Sequence, residues 1–155
     1  MTDSSPNPPD PLPYQRCRFA TSIPRDRLYT PDHYWLKQQE PGLWRVGLTA
    51  WAVRMLGDFV EHRFDVVPGA LVRPGEVLGS LEAFKALAEI RSAAAGTFAG
   101  GNPILHTNLD AIAQDCHGIG WLYEVRGTAD ADVCDAEAYR VLLDETIDAM
   151  RGYSG

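Results

Sequence analysis

Only two of the fourteen basic residues are lysines, Lys37 and Lys85; the other twelve are arginines. A guanidinium carries charge but is a poor nucleophile, whereas a lysine amine can be acylated once deprotonated. A high-GC coding bias accounts for the ratio equally well, yet it leaves two amines for any lysine chemistry. The second reactive grouping is Cys116-His117, a thiol next to an imidazole. Such a pair has the makings of a nucleophile and its base. Against that, neighbours in sequence seldom face each other, and catalytic Cys and His are usually far apart in the chain. The other cysteines are Cys17 and Cys134; none of the three stands in a CxxC pair, and their number is odd. This argues against a disulfide framework or a structural zinc site. His62 and His106 are isolated, and no His, Asp or Glu cluster has metal-ligand spacing, so no metal is expected.

The elements that would hold these groups are mostly short strands. Strands are expected at 34–38, 43–48, 59–66, 77–84, 87–92, 95–99 and 121–126, with turns at Pro41-Gly42, Pro68-Gly69, Pro74-Gly75 and Gly100-Gly101. Lys85 then falls at the turn of a hairpin, whereas Lys37 falls inside a strand. A turn holds an amine away from the core where an enzyme can reach it. On spacing alone, an ordinary solvated lysine fits that turn as well. Thr49 can cap a short helix to Gly57, with Ala52, Val53 and Leu56 on one face. Asn102-Pro103 predicts a helix through Leu105, Leu109 and Ile112. Asp135 caps a final helix whose stripe is Tyr139, Leu142, Leu143, Thr146, Ile147 and Met150. That stripe is expected to pack on the strands, and a partner-binding face is the sharper alternative.

Composition bounds the rest. At 155 residues, 45 % apolar and 23 % charged, the chain has the size and make-up of one globular domain. No apolar run approaches the roughly 18 residues that span a bilayer. The start, Met1 to Pro13, has five prolines, no basic stretch and no apolar stretch, so it does not read as a signal peptide. A cytoplasmic protein without a membrane partner is the expectation. A net charge of -7 disfavours nucleic acid. Residues 110–148 hold ten acids against Arg126 and Arg140, an end suited to steering onto basic partners. Residues 1–27 are expected to be a disordered or irregular extension, 28–127 the main domain, and 128–155 a helix packed on it.

Five motifs in order then point to one family. They are Tyr29-Thr30-Pro31-Asp32-His33-Tyr34-Trp35, Val46-Gly47-Leu48-Thr49 followed by Leu56-Gly57-Asp58, the turns Pro68-Gly69 and Pro74-Gly75-Glu76, Glu82-Ala83-Phe84-Lys85-Ala86, and Asp115 through Leu122. Together they resemble the glycine cleavage system H protein family from Leu28 to about Gly152. The resemblance implies a mainly β barrel-sandwich hybrid of the biotinyl and lipoyl kind, with short helices and a C-terminal helix. It implies a non-catalytic carrier with lipoate joined covalently to Lys85. Glu82 and Phe84 would be read by the modifying enzyme. Biotin carriers usually flank their lysine with methionines; Phe84 and Ala86 stand here, which favours lipoate. The implied partners are the glycine decarboxylase P protein, the aminomethyltransferase T protein, the dihydrolipoyl dehydrogenase L protein, and a lipoyl ligase or transferase. An aminomethyl group and reducing equivalents would travel on the arm.

Departures from the family pattern also stand in the chain. The family's Glu in the opening motif is Tyr34, so the acids that the resemblance places around the carried amine reduce to Asp32 and Glu89. Cys116-His117 replaces a Pro-Tyr pair. Two alternatives therefore remain: an H-like lipoate-binding protein of another pathway such as sulfur oxidation, and a Cys/His enzyme.

Overall fold

The computed structural model describes residues 10–154. Among the described residues there are three β sheets, three α-helices and one 3-10 turn. A hairpin of β1 (Leu12–Arg16) and β2 (Phe19–Ile23) comes first. A six-stranded sheet follows, with spatial order β3 (Leu28–Tyr29), β4 (Tyr34–Glu40), β5 (Leu43–Leu48), β11 (Tyr123–Ala129), β10 (Ala94–Gly101) and β7 (Leu71–Val72). The third sheet pairs β6 (Phe59–Phe64), β8 (Val77–Ala83) and β9 (Leu87–Arg91). Every pairing is antiparallel. The helices are α1 (Ala50–Leu56), α2 (Ala111–Gln114) and α3 (Ala136–Ser154). This is the mainly β barrel-sandwich expected, closed by a C-terminal helix.

Alternation along β4 divides the interior in two. Tyr34 and Leu36 point into the core between the six-stranded and three-stranded sheets, with Val46, Leu78, Ile90, Phe98 and Tyr123. Trp35 points the other way, into a second core with Tyr14, Phe19, Tyr29, Trp51 and Tyr139. Its ring lies on Gly47, its cross-strand partner, where an added Cβ would collide with it. The indole Nε1 donates to the Cys116 carbonyl at 2.8 Å, and the Arg27 guanidinium stacks 4.7 Å from the ring centroid. Helix α3 seals this second core. Tyr139 stacks on Tyr29 at 4.7 Å, and Tyr29 and Cys134 exchange both backbone hydrogen bonds. The stripe predicted on α3 is therefore core for Tyr139, Leu143 and Ile147, but its last member, Met150, is exposed. Asp135 caps α3 by accepting from the Ala138 N–H.

Two expectations are corrected. Residues 14–27 are not irregular: most of them form the β1–β2 hairpin. Tyr14, Phe19 and Ile23 bury against Trp51 and α3, and Arg16 and Arg25 pair with Asp148 and Glu137. The hairpin is held by α3 and Trp51, both distant in sequence, and those contacts make a mixed polar stretch into strands. Of the extension expected over 1–27, residues 1–9 lie outside the described residues. The helix predicted from Asn102 breaks into a 3-10 turn, Pro103–His106, and α2. Thr107 and Asn108 both donate backbone hydrogen bonds to the Ile104 carbonyl, which tightens the turn and ends it. Asp110 makes no side-chain cap to restart the helix early.

Candidate functional site

Lys85 stands at the exposed turn between β8 and β9. The turn is held from outside by the end of α1. The Phe84 N–H donates to the Asp58 carbonyl at 2.7 Å, and the Lys85 N–H to the Leu56 carbonyl at 3.1 Å. Gly57 ends α1 with φ of 85°, and a Cβ there would lie 3.3 Å from Lys85 Cγ. The bare Gly57 backbone is thus the bed for the lysine stem. The ammonium donates to the Arg54 carbonyl at 3.3 Å, at the carbonyl end of α1 where the helix dipole favours a cation. Acylation would neutralise the amine and remove that attraction, so the parking contact serves the free lysine only. Phe84 is 83 % exposed and Leu87 73 %, two apolar side chains flanking the lysine. Apolar surface grouped in this way suits recognition by another protein. Glu82 lies one pair from the turn, opposite Glu61 on β6.

Beside the hairpin runs a groove of about 240 Å³, lined by Asp32, Tyr34, Met55, Leu56, Ala88 and Glu89 among others. The structure therefore brings together Asp32, Tyr34 and Glu89, the three residues singled out from sequence. It does not leave all three free. Tyr34 is only 6 % exposed; its hydroxyl accepts from the Arg91 N–H at 2.9 Å and donates to the Glu89 carbonyl at 3.4 Å. The Glu89 carboxylate pairs with Arg91 at 2.6 Å. Asp32 has no hydrogen-bonded or ionic partner among the described residues. Arg91, which sequence reading missed, organises this wall; its role depends on the two sheets facing each other, which no motif announces.

Below the groove a second missed element joins three parts of the chain. His33 Nδ1 and the Tyr139 hydroxyl lie 2.8 Å apart, and that hydroxyl donates to Thr49 Oγ1 at 2.8 Å. Thr49 caps α1, the helix that holds the lysine turn. Burial keeps the His33 imidazole below its ordinary pKa, partly opposed by Asp32.

The other candidates lie in different surroundings. Lys37 lies on β4 and pairs with Asp26 at 3.1 Å. Burial, then Asp115, pushes the Cys116 thiol up to about 11, which leaves little thiolate for nucleophilic work. His117 is pushed down to about 4, first by burial and then by Arg27. A histidine whose folded pKa lies below its unfolded value of about 6.5 takes a proton only in the unfolded chain across that window. Stability is therefore lost as pH falls from about 6.5 to 4, by roughly 3 kcal/mol for this residue. We expect His117→Asn to flatten the loss of urea midpoint between pH 7 and 4; an unchanged pH slope would refute the burial argument. No group of three or more His, Cys, Asp or Glu among the described residues could hold a metal. No helix among them is long and apolar enough to cross a membrane.

A β sandwich that presents one bedded lysine on an exposed hairpin has the arrangement expected of a carrier domain. The glycine cleavage H-protein model matches residues 27–146, and the chain belongs to that family. Members are carrier subunits and not enzymes. The H protein of Corynebacterium jeikeium (strain K411) is 36 % identical over 123 residues, covering 77 % of this chain and 96 % of that one. The H protein of Chlorobium chlorochromatii (strain CaD3) is 36 % identical over 129 residues, covering 80 % and 99 %. The crystal structure of an H protein from Mycobacterium marinum superposes with a TM-score of 0.69 at 36 % identity, covering 76 % of this chain and 95 % of that one.

Proposed function

We propose that this chain is a lipoyl carrier that moves an aminomethyl group and reducing equivalents between enzymes of glycine cleavage on an arm attached to Lys85. The observation that carries this reading is the bedding of Lys85 on Gly57 at an exposed turn. The residues fit such a group: the amine is accessible, and the apolar groove of Leu56, Met55 and Ala88 lies directly beside it. Bound lipoate would supply a strained cyclic disulfide that accepts a carried group and is readily reduced. The chain's own residues present, bed and shelter. Gly57 and the α1 carbonyls aim the lysine stem, Phe84 and Glu82 offer a shape and a charge to the modifying ligase or transferase, and the groove excludes water from what the arm holds. Asp32 supplies a free carboxylate for an ammonium, with Glu89 second because Arg91 already claims it. The partners on this reading are the P, T and L proteins in the cytoplasm.

For the cradle, Asp32→Asn is expected to slow aminomethyl transfer about tenfold, from ~1.5 kcal/mol for a charge-assisted hydrogen bond. Glu89→Gln is expected to do less. Modification of Lys85 should be unaffected in both variants. If both leave the transfer rate unchanged, these acids do not hold the amine.

The occupied Tyr34 hydroxyl and the neutralised Glu89 favour a second reading, an H-like lipoate carrier for another pathway such as sulfur oxidation. Full lipoylation of Lys85 with no aminomethyl loading by P protein would select it.

A further inference from the structure

Helix α1 has a second side. Trp51 and Met55 border both the lysine groove and another depression of about 350 Å³, which is closed by the β1–β2 hairpin and the C-terminal part of α3. Its floor is apolar: Phe19, Trp51 and Ile147 are recessed and buried, while Met55 and Met150 are partly open. Four arginines rim it, Arg16, Arg18, Arg54 and Arg151, and no acid lines it. Arg16 gives its charge to Asp144 and Asp148. Arg18 and Arg54 have no acidic partner among the described residues. In a chain of net charge -7 this concentration of cations is local. The hairpin that builds one wall precedes residue 27, where the family match begins.

We propose that this depression docks an acidic segment of an enzyme that works on the arm, anchored by one aromatic or aliphatic side chain. The charge is complementary, because unpaired guanidinium groups at a rim favour carboxylates bound in bidentate fashion. Shape favours a protein segment over a bilayer, since the apolar floor is recessed and does not protrude. Open methionines adapt to an inserted side chain. Position selects the partner: Arg54 contributes its side chain to the rim and its carbonyl to the Lys85 amine. An enzyme gripping here has its body one short helix from the arm. That last step rests on the carrier function proposed above.

The test is an NMR titration of the isotope-labelled, unlipoylated full chain with a synthetic amphipathic helix of Glu and Leu. Saturable shifts at residues 16–19, 51–55 and 147–151 are expected. They should weaken at least tenfold in the Arg18→Glu/Arg54→Glu variant, and should not appear with the Lys/Leu counterpart. Absence of shifts in the groove overturns the proposal, as does equal binding by the variant. Binding to phosphatidylglycerol vesicles without peptide binding overturns it in favour of a membrane. With the lipoylated chain and enzymes encoded in the same genome, Arg18→Glu should raise the KM for the carrier about tenfold and leave kcat unchanged. An unchanged KM with every such enzyme overturns the choice of partner. Failure of Lys85 to be lipoylated would strike the functional reading alone, because the titration uses unmodified protein.

Discussion

Lys85→Arg is expected to leave the fold intact and to abolish every transfer that depends on the arm. The substitution keeps the positive charge at the carbonyl end of α1, where Lys85 Nζ now meets the Arg54 carbonyl at 3.3 Å. It also keeps an aliphatic stem over Gly57. Stability should therefore move by no more than about 0.5 kcal/mol, as for most exposed positions. Arginine cannot accept the acyl group in lysine's place, so the loss of carrier activity should be complete, to the detection limit. Lys37→Arg is the control: Lys37, inside β4, pairs with Asp26, and arginine can keep that pair. Partial activity of Lys85→Arg in a reconstituted system would mean that some other group carries the cargo.

The largest stability effect is expected at Trp35. Its side chain is 1 % exposed, fills the space above Gly47, receives Arg27 on its outer face and donates to the Cys116 carbonyl. Trp35→Ala removes the ring, leaves a cavity and orphans a buried carbonyl. Losses of about 3–5 kcal/mol accompany such truncations, lowering Tm by roughly 6–20 °C at this chain length. Trp35→Phe should recover part of the packing but not the hydrogen bond. A calorimetric Tm within ~2 °C of wild type for Trp35→Ala would show that α3 and the hairpin do not depend on this core.

The parts legible in the sequence were those set by local rules. Proline–glycine turns delimit the strands, Thr49 and Asp135 cap their helices as expected, and Lys85 stands at its turn. The β1–β2 hairpin was not legible, because Tyr14, Phe19 and Ile23 become core only through α3 and Trp51, more than a hundred residues and some thirty residues away in the chain. Strand propensity is decided by such packing as much as by residue type. Ion pairs from the hairpin, from Arg25 just after it and from β5 change the charge picture. Four of the ten acids between 110 and 148 are engaged by Arg16, Arg25 or Arg45, so the C-terminal end is less acidic to a partner than its composition suggests. At the site, Tyr34 could be placed beside the groove from its motif. Its burial and its bonds to Arg91 and Glu89 could not, since they arise from β4 and β9 meeting across the sandwich.

Intact mass spectrometry of the full chain after reaction with a lipoyl ligase, ATP and lipoate decides whether Lys85 carries lipoate. A single added lipoyl mass is expected, located by peptide mapping to the segment containing Phe84-Lys85-Ala86, with no addition to Lys85→Arg. No addition to the wild-type chain under conditions that fully modify another H protein would rule out Lys85 as the attachment site, as would an addition that maps to Lys37.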